Sequence, residues 1–214
     1  ERAGGGLCYL GTGTVTLSGT RITGNRATCG GGVYVEGIRG AATFVMQGGE
    51  ITGNQLMEKN EDGELWMADG AGVCIYASNG KQTVLDMQGG VIAENSVTGE
   101  QTGDTGVGSA ISLNSGDGVT FPIMKLGGSP VISGDVFLWD EENAGPVIEV
   151  AEGTSLQTPL LVVANWGTEG TTAVRFPAQM NAAAEALFTT DDDRVMLAAD
   201  GNEFKMARES KSQL

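Results

Sequence analysis

Gly30-Gly31-Gly32-Val33-Tyr34-Val35, followed by Phe44-Val45-Met46-Gln47-Gly48-Gly49-Glu50-Ile51-Thr52-Gly53-Asn54, is the stretch that decides the fold. It opens on glycines, runs through two short apolar segments and closes on Gly-Gly-x-Ile-x-x-Asn. The same order recurs from Gly4, Gly70 and Gly108, so the four copies start 26, 40 and 38 residues apart. Self-similarity at such periods marks a stacked array of repeats. The first segments read Leu7-Cys8-Tyr9, Val33-Tyr34-Val35, Val73-Cys74-Ile75 and Ile111-Ser112-Leu113. Side chains alternate between the two faces of a strand. Leu7/Tyr9, Val33/Val35, Val73/Ile75 and Ile111/Leu113 are therefore predicted to face inward. Cys8, Tyr34, Cys74 and Ser112 are predicted to form one outward column.

The second segments follow the same rule. Val15/Leu17, Phe44/Met46, Leu85/Met87 and Met124/Leu126 are the inward pairs, while Thr16, Val45, Asp86 and Lys125 point out. A third inward column holds Ile22, Ile51, Ile92 and Ile132, and Asn25, Asn54, Asn95 and Asp135 follow at matching positions. Each unit thus offers three short strands between Gly/Asn turns, with no helical apolar period. One unit cannot bury its apolar face alone, whereas stacked units can. The expected fold is all-β, a parallel β-helix with one coil per repeat and coils about 4.8 Å apart. Glycine supplies positive φ at the corners. Stacked asparagines are expected to tie one corner to the next, a structural role.

The copies differ in length at one place. Arg26 to Cys29 closes the first, Gln55 to Asp69 the second and Ser96 to Val107 the third. The extra residues are expected to cluster on one side, as loops on a rigid scaffold, where recognition concentrates. The fourth copy degrades after Gly127-Gly128-Ser129-Pro130. Pro146–Val150, Leu160–Ala164, Ala173–Phe176 and Arg194–Ala198 read as further strands, Leu160–Ala164 as fully buried, and Ala182–Leu187 as a short helical turn. Terminal repeats of an array are atypical because they cap it. The expected organisation is therefore coils over 1–143, terminal coils and a strand-rich C-terminal cap over 144–207, and a frayed polar tail over 208–214.

Glycine contributes 35 of the 214 residues, which the turns account for. With 12 basic and 27 acidic residues the net charge is −15. That balance argues against nucleic acid, whose phosphates need basic patches, and against anionic membrane. No apolar run is long enough for a membrane-spanning helix, so no membrane insertion is expected. The chain opens Glu1-Arg2-Ala3 directly on a repeat. An unprotected strand edge there leads us to expect the rest of a larger parent chain N-terminal to Glu1. Cys8 and Cys74 share a column with Tyr34 between them, so about 9.6 Å separates them, too far for a disulfide. Cys29 has no evident partner, and three free thiols are expected. Metal binding of the clustered Cys/His kind is not expected, because the chain has no histidine.

The stretch Gly30–Val35 with Met46–Asn54 resembles a repeat of large secreted surface, adhesin-like proteins from Gram-positive gut bacteria, within the pectate-lyase-like superfamily. Gly134-Asp135-Val136-Phe137-Leu138, Phe188-Thr189-Thr190-Asp191 and Asp200-Gly201-Asn202-Glu203 resemble the closing region of such proteins. The resemblance covers roughly residues 4 to 206. It implies a right-handed parallel β-helix, a cell-surface or cell-wall location and a role in adhesion or display. It says little about ligand, because one fold hosts many activities.

The superfamily also holds polysaccharide lyases and hydrolases, so an enzymatic reading stands beside the first. Glycoside hydrolysis needs two facing carboxylates. Asp86 and Lys125 are predicted to lie side by side on adjacent strands, as a cross-strand ion pair or, in the enzymatic reading, as part of the site with the acidic loop. Glu58, Glu61, Asp62, Glu64 and Asp69 surround Trp66 in the long loop, a set suited to a sugar or calcium and equally to a solvated loop. Asp191–Asp193 and Asp200–Glu203 do not follow the EF-hand pattern. No cofactor is expected, with Ca²⁺ the one cation the acidic turns leave in play. The first reading is a non-catalytic extracellular module that recognises host or dietary glycan or protein. Its working surface is the two long loops and an exposed column around Tyr34, with Tyr34, Glu58, Asp62, Glu64, Trp66, Asp69, Asp86 and Lys125 as binding residues. The alternatives are a carbohydrate-active enzyme fragment, lyase or glycosidase, and a structural spacer in a cell-wall protein.

Overall fold

The computed structural model describes residues 3–57, 70–98, 108–139, 141, 144–164, 168–178, 182–190 and 196–207. The first copy contributes β1 (Leu7–Leu10), β2 (Gly13–Leu17), β3 (Arg21–Thr23) and β4 (Arg26–Ala27). The second contributes β5 (Val33–Glu36), β6 (Ala42–Met46), β7 (Glu50–Thr52) and β8 (Gln55–Met57). The third contributes β9 (Val73–Ala77), β10 (Thr83–Met87), β11 (Val91–Ala93) and β12 (Ser96–Thr98), and the fourth β13 (Ile111–Ser115), β14 (Ile123–Leu126) and β15 (Val131–Ile132). Beyond them lie β16 (Asp135–Leu138), β17 (Val147–Val150), β18 (Leu160–Ala164), β19 (Thr172–Arg175), α1 (Ala182–Glu185), β20 (Phe188–Thr189), β21 (Met196–Asp200) and β22 (Glu203–Ala207).

Among the described residues these strands build four sheets. Their orders are β1-β5-β9-β13-β16-β18-β20, β2-β6-β10-β14-β17-β19-β22-β21, β15-β11-β7-β3 and β12-β8-β4. The protein is all-β with several parallel sheets. Leu7, Val33, Val73, Ile111 and Val136 stand in one register row, and Val15, Phe44, Leu85, Met124 and Ile148 in another. Ile22, Ile51, Ile92 and Ile132 make the third. These rows meet in one core, where Val33, Val35, Phe44, Met46, Ile51, Leu85, Ile92, Leu113 and Met124 are wholly buried. Burying a side chain of this size contributes about 1.5–3 kcal/mol, and that gain holds the repeats together.

Four strands per copy, rather than the three expected, stand in the first three copies. The residues after each asparagine, assigned to loops, begin as the short strands β4, β8 and β12. Each turns one small or medium apolar residue inward, and Leu56 and Ala71 form a second cluster with Val97 against it. The residue before each ladder asparagine sits in the left-handed region: Gly24 at φ +68°, Gly53 at +64° and Glu94 at +57°. That corner turns the chain from the third strand into the fourth. At the entry to the first sheet, Gly30 and Gly70 have φ +58° and +67°, and a Cβ there would lie 2.2 Å from the carbonyl oxygen of Val33 or Val73. Only glycine fits.

The asparagines form the expected ladder. The Oδ1 of Asn54 accepts from the backbone N–H of Asn25 (3.0 Å) and from its Nδ2 (3.0 Å). The Oδ1 of Asn95 receives the same pair from Asn54, at 2.9 and 3.0 Å. Each Nδ2 also reaches back: Asn54 to the Ile22 carbonyl and Asn95 to that of Ile51, both at 2.9 Å. Asp135 leaves the pattern and caps Ser109 instead, accepting from its N–H at 2.8 Å and from its hydroxyl.

The first two sheets run on without interruption across residue 144, since β14 pairs with β17 and β16 with β18, both parallel. β18 alternates buried and half-buried residues, so Leu160–Ala164 is not buried on both faces as expected; Leu161 and Val163 stay partly open. The direction reverses at β22, which pairs antiparallel with β19 and β21. Phe176, Phe188 and Phe204 meet edge-to-face there, with ring centres 5.8–6.2 Å apart. The tail 208–214 lies outside the described residues.

Candidate functional site

The outward column of the first sheet is Cys8, Tyr34, Cys74, Ser112 and Phe137, in unbroken register. Its centre is closed. Tyr34 is only 8% exposed, and Cys74, Ser112 and Phe137 are fully buried. This overturns the expected exposed column around Tyr34. The cause is a second outward row two residues on, Glu36, Tyr76 and Asn114, which engages the first. The Tyr34 hydroxyl donates to Glu36 Oε2 at 3.0 Å, and Ser78 Oγ donates to Glu36 Oε1 at 3.2 Å. The ring of Tyr76 lies 6.2 Å from that of Tyr34. Ser112 Oγ donates to Asn114 Oδ1, and Asn114 Nδ2 to Cys74 Sγ. Burial, with Cys74 and Glu36 adding negative potential, drives the Tyr34 phenol far above its ordinary range. It is a fixed neutral donor, not a platform offered to a ligand. The three cysteines are thiols rather than disulfides: Cys8 exposed, Cys29 half-buried, Cys74 buried.

Asp86 and Lys125 do stand side by side, on β10 and β14. Among the described residues no ion pair within 4 Å joins them; Asp86 Oδ2 instead accepts from Gln88 Nε2 at 3.1 Å. The pair belongs to a longer row that alternates in sign: Asp86, Lys125, Glu149, Arg175, Glu203. Arg175 lies 3.7 Å from Glu149 and 2.9 Å from Glu203. The Arg175 guanidinium, then the Thr172 hydroxyl, holds the Glu203 carboxyl below its usual range. A cation separates each carboxylate from the next, so this row does not set two carboxylates face to face for glycosidic chemistry. Cross-strand pairing explains it. In the acidic turn after β21, Asp200 pairs with Lys205. Among the described residues no three His, Cys, Asp or Glu side chains come together as a metal site. No helix among them is long and apolar enough to cross a membrane. Glu58, Glu61, Asp62, Glu64, Trp66 and Asp69, with Asp191–Asp193, lie outside the described residues.

One corner of the fold was not anticipated from the sequence. Among the described residues the exposed large apolar side chains are Leu10 at 51%, Ile38 at 46% and Val119 at 81%. Ile38 and Val119 lie in the β5–β6 and β13–β14 links, and Leu10 is the last residue of β1, in register with Glu36. Asp117 braces the last of these turns. Its carboxylate accepts from the backbone N–H of Thr120 (2.7 Å), Val119 (3.0 Å) and, across to the β9–β10 turn, Asn79 (2.6 Å). Those bonds, Thr120 first, hold its pKa far below the usual carboxylate range. The signal was present as apolar residues inside glycine-bounded turns, Gly37-Ile38-Arg39-Gly40 and Gly118-Val119-Thr120.

Compared with known proteins, no family model, curated protein or solved structure matches the chain.

Proposed function

We propose that this chain is a non-catalytic recognition module whose four sheets wind as a right-handed parallel β-helix. Strand order and parallel pairing support the winding, and parallel crossovers are right-handed in nearly all proteins. In this reading it is carried at the surface of a Gram-positive bacterium as part of a larger protein, and binds a host or dietary glycan or protein. One observation carries the binding role. The exposed Leu10, Ile38 and Val119 stand where a copy's first strand ends or in the link that follows it, in three copies, and Asp117 braces the turn that carries Val119. Large apolar side chains left open to water favour a contact surface. The Glu58–Asp69 segment and its Trp66 belong to the same proposed role as loop contacts.

The test is an array of glycans and extracellular-matrix proteins probed with the labelled chain, beside reducing-sugar and unsaturated-product assays on polysaccharides. Binding that disappears in the triple variant Leu10→Asp, Ile38→Asp, Val119→Asp supports the corner. Turnover of any polysaccharide would replace this reading with the enzyme, and binding unchanged in the triple variant would remove the corner from it.

A further inference from the structure

The two ends of the fold are unlike. At one, β22 closes the second sheet antiparallel and three phenylalanines pack beneath it. At the other, β1, β2, β3 and β4 are the outermost strands of all four sheets at once. Among the described residues no strand pairs with their outer edges. The core is open there. Leu7, Tyr9 and Val15 are only partly buried, and Leu17 and Ile22 keep 6% and 8% exposure where Met46 and Ile51, one copy on, keep none. A depression of about 440 Å³ lies between Leu7, Val15, Leu17, Ile22, Arg21 and Asn25.

The ladder says what fits. Asn54 and Asn95 each give Oδ1 to two donors from the preceding copy and send Nδ2 back to that copy's isoleucine carbonyl. Asn25 has neither: among the described residues nothing donates to its Oδ1, and its Nδ2 turns to its own neighbour, the Thr23 carbonyl, at 3.3 Å. Arg21 pairs with Glu50 on one side at 3.0 Å and is open on the other, with 71% of its side chain exposed. We propose that this end docks a polypeptide segment of the same repeat pattern, laid parallel. The segment would supply apolar pairs over Leu7/Tyr9 and Val15/Leu17, an acidic residue over Arg21, and an asparagine whose N–H and Nδ2 fill Asn25 Oδ1. A second copy of the whole chain does not meet these terms. A two-fold partner would present its strands antiparallel and break the ladder, and a head-to-tail partner would present its closed end.

The probe is a synthetic peptide of residues 30–57, which carries Glu50, Ile51 and Asn54 in the required register. Saturable binding of one peptide per chain is expected by fluorescence anisotropy. Asn25→Ala in the chain, or Asn54→Ala in the peptide, should each weaken it about tenfold, the loss expected for one or two amide hydrogen bonds. The two changes together should cost little more than one, because both remove the same side-chain bonding. Val15→Lys, which sets a charge on the inward row where it reaches the open end, should abolish capture, with circular dichroism showing that the fold is kept, while Val45→Lys, outward on the next copy, should not. Absence of saturable binding overturns the proposal. So do additive effects of the two asparagine changes, which would mean an apolar contact without the ladder. Self-association of the chain that Val15→Lys removes would overturn it too, by assigning the end to a second copy.

Discussion

Asn54→Ala tests what the repeated asparagines contribute. The Asn54 side chain is fully buried, accepts twice from Asn25 and donates to Ile22 O and Asn95 Oδ1. Alanine leaves the Asn25 N–H and the Ile22 carbonyl without these partners, while Asn95 Oδ1 keeps the Asn54 N–H. A buried polar group left unpaired costs about 1–3 kcal/mol, so the two together give about 2–6 kcal/mol. Asn25→Ala is the internal reference. It sits at the open end and leaves the Asn25 N–H on Asn54 Oδ1, so its cost should be that of one ordinary bond, about 0.5–1.5 kcal/mol. Urea unfolding monitored by circular dichroism separates them, provided the slope against denaturant stays constant. A changed slope would itself report partial unfolding of the array. Equal losses in the two variants, or an Asn54→Ala loss within about 0.5 kcal/mol of zero, would refute the idea that the ladder stabilises the stack.

Three further outcomes follow from local geometry. Asp117 is held below the usual carboxylate range in the folded chain, whereas an unfolded aspartate titrates at about 3.9; its contribution is therefore full above that pH and shrinks as pH falls below it. A neutral amide at this position has no such dependence, so the stability gap between wild type and Asp117→Asn should narrow on acidification from about pH 5, measured by thermal unfolding across that range. Tyr34 has its pKa raised by burial, Cys74 and Glu36, so the folded phenol keeps its proton where the unfolded one, at about 10, loses it; wild type should lose stability as pH rises past that value, and Tyr34→Phe should lose less. Glu94 stands at φ +57° where the other copies have Gly24 and Gly53, so Glu94→Gly should stabilise by about 0.5–1 kcal/mol, the left-handed penalty relieved less the entropy glycine brings; a loss of stability by calorimetry would contradict it.

The first two columns were legible from apolar residues two apart in every copy, and the third because isoleucine recurs there in all four copies. Leu85/Met87 and Ile51 fell in the register that the alternation implied. The fourth strand was not, since it turns a single residue inward and that residue changes from copy to copy, Ala27, Leu56 and Val97. Tyr34 was misjudged for a different reason. Alternation assigns a residue to a face, but exposure depends on what packs over that face, and Glu36 and Tyr76 were one row too far along the strand to be weighed. Asp86 and Lys125 were adjacent as read, yet spacing alone says nothing about where their side chains turn. The exposed Ile38 and Val119 each stand as a single large apolar residue in a link, and one residue defines no period.

Among the described residues, strand pairing in the four copies never skips a copy. β1 touches β5, β5 touches β9, and none of the first copy's strands pairs with the fourth's. No such pairing closes the array on itself, so a load pulled along the stack is borne by each copy-to-copy junction in series. The weakest junction sets the force at which the whole yields, and a copy that peels away leaves the next with the same open face that β1 to β4 present now. Such a molecule should fail stepwise under tension, with increments set by the length of each copy, the unequal connections after β4, β8 and β12 making some steps longer than others.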